Sequence, residues 1–128
     1  MNQSREVQMF RIEYEAPANI LRLTVSGFWK AEDVQAFAKA LGPRLQEVRA
    51  IRDDFDVLVE SLNFPVQSND VADLLTNILT GGAPSTSGRF AIVVASVLNR
   101  LQVERTLVHP RLRAFMSVRE AEAWLRAA

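Results

Sequence analysis

Carboxylates are the reactive side chains this sequence concentrates. Asp53, Asp54, Asp56, Glu60, Asp70 and Asp73 fall in one stretch with no Lys or Arg among them. Paired carboxylates can perform general acid–base chemistry or hold a hard cation through oxygen. The first four do not clearly converge, because neighbours along an extended strand point to opposite faces. Asp70 and Asp73 share a helix face at i, i+3, a spacing that fits an oxygen-only metal site. The same spacing fits a solvated helix start, where carboxylates favour the positive end of the dipole. His109 is the single histidine, and next to Pro110 it reads as a loop or helix-end residue rather than a base. Ser85, Thr86 and Ser87 lack the strand–turn–helix elbow of a hydrolytic nucleophile. With no cysteine, thiol catalysis, disulfides and thiolate metal sites are excluded. The expectation is a protein that is not an enzyme, with no catalytic residues, no metal and no cofactor.

The element that would position these carboxylates runs from Phe55 to Leu75. Val57, Leu58 and Val59 form a short apolar run, as in a strand buried on both faces. Asn63, Phe64 and Pro65 make a loop, with Gln67 exposed beyond it. Val71, Leu74, Leu75, Ile78 and Leu79 give an amphipathic helix, capped by Ser68 or Asn69 and stopped by Gly81 and Gly82. If the chain has a working site, it is expected at this strand-to-helix junction. The candidate partner- or ligand-binding residues are Asn63, Phe64, Gln67, Ser68, Asn69, Asp70 and Asp73.

The remaining elements follow from periodicity. Phe10, Ile12 and Tyr14 alternate with polar residues, as do Leu21, Leu23 and Val25. The Ala16–Asn19 turn between them predicts an antiparallel hairpin. Phe28 and Trp29 are expected to cap the core beside it. A helical stripe of Val34, Phe37, Ala38, Leu41, Leu45 and Val48 follows, with a kink or a break expected at Gly42-Pro43. The stretch from Gly81 to Gly88 reads as a flexible surface loop. It is not a phosphate cradle, since it follows a helix and lacks the Gly-Lys pair. Phe90 to Ala95 is another buried strand, and Ser96 to Leu107 a helix with Val97, Leu98, Leu101 and Leu107 inward. Ala114-Phe115-Met116 is a last short strand. Ser117 to Glu120 is a capping box opening a helix that buries Ala121, Trp124 and Leu125.

The order ββαβαβαβα predicts an α/β fold. It is a mixed, mostly parallel five-stranded sheet opened by an antiparallel hairpin, with about four helices. Residues 1–8 read as a disordered or extended tail and residues 9–128 as a single domain. Strands laid down in one direction put most helices on one face of the sheet. The opposite face then needs a cover, and a second copy of the chain, a homodimer, is one candidate.

Composition narrows the partners. Of the 128 residues, 48% are hydrophobic and 23% charged, which fits a globular chain. No apolar run reaches the ~18 residues of a spanning helix, and no apolar signal core opens the chain, so a cytoplasmic protein is expected. Fifteen basic and fifteen acidic residues cancel, so nucleic acid is not an expected partner. The middle of the chain is acidic and its end basic. These read as solvated faces or as two oppositely charged binding faces.

Several landmarks in this order resemble the SpoIIAA-like branch of the STAS domain superfamily. They are Gly27-Phe28-Trp29 with Glu32-Asp33, Val57 to Leu62, Arg89 to Val93, and Phe115 with Glu120-Ala121 and Trp124-Leu125. The resemblance covers roughly residues 9–125 and implies a STAS-like βα superhelix. It also implies a bacterial regulatory protein that binds a protein partner. Anti-sigma factor antagonists of that superfamily carry Asp-Ser-Ser-Gly at the start of the helix after the central strand, and a kinase phosphorylates the second serine. Here Ser68-Asn69-Asp70-Val71 stands in its place. Without gaps the acceptor position falls on Asp70, and a shift of one or two residues brings Ser68 to it. The classical serine phospho-switch is therefore expected to be absent, with Ser68 the one candidate for phosphorylation.

The function expected is a non-enzymatic module that docks a protein or small ligand around residues 63–73. The alternative is a carrier or sensor of a small hydrophobic or lipid-like molecule, in a cavity lined by residues such as Phe28, Trp29, Phe64 and Phe90. A filled core would use the same residues.

Overall fold

A computed structural model describes residues 9–127; the expected tail, residues 1–8, lies outside them. The hairpin strands β1 (Phe10–Glu15) and β2 (Ile20–Ser26) are antiparallel, joined through Asn19 at φ 56°. Three crossovers follow: helix α1 (Ala31–Ile51) to β3 (Asp56–Asn63), α2 (Asn69–Gly82) to β4 (Phe90–Val93), and α3 (Val97–Thr106) to β5 (Leu112–Phe115). Helix α4 (Val118–Arg126) closes the chain. The five-stranded sheet has order β1-β2-β3-β4-β5, with β2 to β5 parallel, so the expected fold class is the observed one. None of the described helices is long and apolar enough to cross a membrane.

Right-handed crossovers in one direction place α1, α2 and α3 over the same sheet face. There Leu21, Leu23, Val25, Val57 and Phe90 pack with Trp29, Val34, Phe37, Leu41 and Val48. Trp29 is at the centre, 1% exposed, with edge-on contacts to Phe10, Phe37 and Phe64 at 6.1, 5.5 and 5.2 Å. Phe28, expected beside it, is 61% exposed. The second face is not bare at its centre. After β5 the chain turns beneath the sheet, and α4 lays Ala121 and Leu125 on Ile20, Leu58, Ala91 and Val93. A second copy is not needed to cover those strands. Toward β1 the same face is polar, with Arg22 paired to Glu15 at 2.8 Å and Glu122 at 2.6 Å. These partners raise the arginine's already high pKa further.

The structure corrects three local expectations. Gly42-Pro43 does not divide α1, which continues through Pro43 for 21 residues. Proline removes one backbone hydrogen bond, and here the affected turn is exposed to water, while Leu41 and Val48 anchor the helix on either side. Gly81 and Gly82 are the last two residues of α2, which stops there as expected, though without positive φ. The stretch from Gly81 to Gly88 is not the flexible loop expected: a 3-10 turn over Ala83–Ser85 follows the helix, and the rest is pinned. Buried Thr86 donates its hydroxyl to the Phe55 carbonyl, and the Gly88 N–H donates to Thr86 Oγ at 3.0 Å.

The third correction bears on function. Val97, Leu98 and Leu101 do not face inward; α3 has no buried residue, and Leu98 is 70% exposed. Val103 and Leu107 lie on the opposite side of the helix, and a ten-residue helix can turn only one of the two sets to the sheet.

Candidate functional site

Two helix placements create a cavity over the centre of the sheet. Helix α2 leans against α1, and α3 leans against β5 at the sheet edge. The space between them, above β3 and β4, holds a cavity of about 200 Å³. Its floor is Leu23, Val25, Val59, Ser61, Ile92 and Val94. One wall is the α2 stripe Ala72, Leu75, Thr76, Ile78 and Leu79; the other is Asn99, Gln102, Val103 and Thr106 of α3. Ala72 and Thr76 are too small to reach across, and α3 turns its larger apolar side chains to solvent.

The loop between β3 and α2 closes one end, contributing Phe64, Pro65, Val66 and Gln67. Phe64 is half-buried, set between Trp29 and the cavity. Gln67 is a clamp: its Oε1 accepts the Trp29 N–H at 2.8 Å, and its Nε2 donates to the carbonyls of Gly27 at 3.0 Å and Pro65 at 2.6 Å. Ser68 is the N-cap of α2, its Oγ accepting the Val71 N–H at 3.4 Å. Asn63, Asn69, Asp70 and Asp73 are exposed. The expected site residues thus divide, with Phe64 and Gln67 in the cavity wall and the others on the outer surface beside it.

Of the four aromatics named for a cavity, Phe64 alone lines this one. Trp29 is core, Phe28 faces solvent, and Phe90 lines a smaller cavity of about 80 Å³ beside His109. The α3 wall was missed by sequence reasoning, although Asn99, Gln102 and Thr106 form a polar stripe at helical spacing.

The ionisable groups gather elsewhere. Among the described residues no group of three His, Cys, Asp or Glu side chains could hold a metal ion. At the opposite end of the strands, Arg52 and Asn19 hold the exposed Asp54 below the usual carboxylate range. Burial pushes Asp56 up, against the Arg89 N–H that it accepts at 2.9 Å. His109 Nδ1 accepts the Arg111 N–H at 3.1 Å.

No protein-family model matches the sequence, and no curated protein matches it. Solved structures resemble the fold, among them the following two. One is an uncharacterized DUF3478-family protein with a SpoIIAA-like fold from Shewanella loihica PV-4. It has TM-score 0.70 and 18% identity over 91% of each chain. The other is an anti-sigma factor antagonist from Mycobacterium paratuberculosis, with TM-score 0.64 and 13% identity over 91% of this chain and 92% of that one. At these identities the likeness establishes architecture alone, and residues 9–127 adopt a SpoIIAA-like fold.

Proposed function

We propose that residues 9–128 form one regulatory binding module without catalytic activity, which binds a small apolar molecule in the cavity beside the β3–α2 junction. The observation that carries this reading is a cavity of about 200 Å³ with apolar walls. An engineered apolar cavity of ~150 Å³ in another protein suffices to hold benzene. Most ligand pockets are apolar clefts with a few placed polar groups, and this one matches that description. Native mass spectrometry of protein purified from cells is the test. A non-covalent adduct, removed by denaturation and restored by an added single-ring compound, is expected. A bare protein mass under both conditions would overturn the reading.

A second reading is docking of a protein partner at the same end of the sheet. Phe28, Val66 and Leu98, at 61%, 55% and 70% exposure, follow the carboxyl ends of three adjacent strands, β2, β3 and β4. The exposed carboxylates Asp70 and Asp73, in the first turns of α2 after Val66, suit a basic partner. The likeness to an anti-sigma factor antagonist favours a protein partner, and another copy of this chain is one such partner. Intact mass after incubation with ATP and a partner kinase tests the remaining part of the resemblance. No phosphate on Ser68 is expected, and stoichiometric phosphorylation there would restore the classical switch.

A further inference from the structure

The chemistry of the cavity wall says what kind of molecule it can accept. We infer that its ligand is a neutral amphiphile about one ring in size, with a hydroxyl or carbonyl end that meets the side-chain amides of Asn99 and Gln102 on α3. This rests on the small-molecule reading above and names the class of ligand.

The first support is the absence of charge. No Asp, Glu, Lys, Arg or His lines the cavity. An ionised ligand would lose hydration there and find no counter-charge, which disfavours it strongly. Arg100, on the same helix, has a buried Nε without a hydrogen-bond partner among the described residues, yet it does not belong to the wall.

The second support is which polar groups remain free. Ser61 donates its hydroxyl to the Val93 carbonyl at 2.6 Å. Thr76 and Thr106 donate theirs to the carbonyls one turn earlier, Ala72 at 2.9 Å and Gln102 at 2.6 Å. Both ends of Gln67 are engaged in the clamp. Asn99 and Gln102 bond through their backbones, and neither side-chain amide has a hydrogen bond to a described residue. Their i, i+3 spacing puts them on one side of α3, and both line the cavity. A primary amide offers donor and acceptor together, so the pair can satisfy a hydroxyl or a carbonyl.

Calorimetric titration of the full chain with three probes of one shape tests this: 4-ethylphenol, ethylbenzene and 4-ethylbenzoate, at about pH 8, where the acid is ionised. The phenol is expected to bind about fivefold more tightly than the hydrocarbon, the effect of one net hydrogen bond. The benzoate is expected to bind at least tenfold more weakly than the phenol. The double variant Asn99→Ala/Gln102→Ala should lose the preference for phenol over ethylbenzene. Should that variant fail to fold, the wild-type ranking and the shifts of the Asn99 and Gln102 side-chain amide NMR signals on adding phenol still decide. Equal binding of phenol and ethylbenzene would overturn the inference and leave the apolar site standing. So would benzoate binding as tightly as the phenol. Binding of none of the three would overturn both.

Discussion

The Gln67 side chain reaches back to the main chain of Trp29, accepting its N–H at 2.8 Å while donating to Gly27 and Pro65. One residue thereby ties the loop after β2 to the loop after β3. The buried indole, Phe64 and the end of the cavity are fixed relative to one another. A residue picked out in sequence as an exposed contact is spent on holding the site together, and this has measurable consequences.

Replacing Gln67 by Ala leaves the main-chain N–H of the buried Trp29 without its partner. A loss of about 1–3 kcal/mol is expected in urea unfolding. Gln67→Glu keeps the acceptor for Trp29 but turns a carboxylate oxygen toward two carbonyls. It should be the more destabilised of the two at neutral pH and recover when acidified to protonate the glutamate. Equal stability of Gln67→Ala and wild type would show that the clamp contributes nothing.

Gly88 sits where a Cβ would lie 2.1 Å from the Phe55 carbonyl oxygen. The obstacle is backbone, held by Thr86, and cannot yield without disturbing the start of β3. Gly88→Ala is expected to cost about 3 kcal/mol or more, read as a fall in thermal midpoint or in soluble yield.

Pro43 lies on an exposed turn inside α1 and leaves one helix hydrogen bond unmade. A proline in a helix interior costs ~3 kcal/mol, partly offset by its restriction of the unfolded chain. Pro43→Ala should therefore raise stability by about 1 kcal/mol or more in urea unfolding. A loss of stability would mean that the proline helps set the course of the helix.

Asp54 and Asp56 are expected to respond to pH in opposite directions. For Asp54, whose folded pKa is depressed, the stabilisation is present above the unfolded value of about 3.9 and is lost as pH falls through the folded one. Asp54→Asn should weaken the fold at neutral pH and match wild type in acid. Asp56 has a raised folded pKa, so stability is lost as pH rises from about 3.9 through the folded value. Asp56→Asn keeps an acceptor for the Arg89 N–H and removes that loss. It should equal wild type below the window and exceed it above, in urea midpoints taken across acid to neutral pH.

Strand periods, the order of elements and the sheet were legible in the sequence because each strand carries its own alternating or continuous apolar pattern. Two kinds of feature were not. Gly42-Pro43 read as a break, yet the buried Leu41 and Val48 on either side and the exposure of that turn carried α1 through it. The rotation of α3 was hidden because that helix has apolar residues on two sides, and Val103 with Leu107 prevailed over Leu98 with Leu101. The cavity depends on that rotation. Phe64 and Gln67, named from the sequence, line the cavity, but its far wall at Asn99 and Gln102 could not be read.

The space between α2 and α3 is proposed as a binding site. Titration of the wild type and of Ala72→Phe with 4-ethylphenol tests it most directly, since Ala72 lines the cavity on α2 and a benzyl group there would fill it. Saturable one-to-one binding by the wild type is predicted, with a dissociation constant on the order of 0.1–1 mM for so small a ligand. Binding should vanish in an Ala72→Phe protein that still unfolds cooperatively. Binding that survives in the filled variant, or is absent from the wild type, would mean that this cavity is not a binding site.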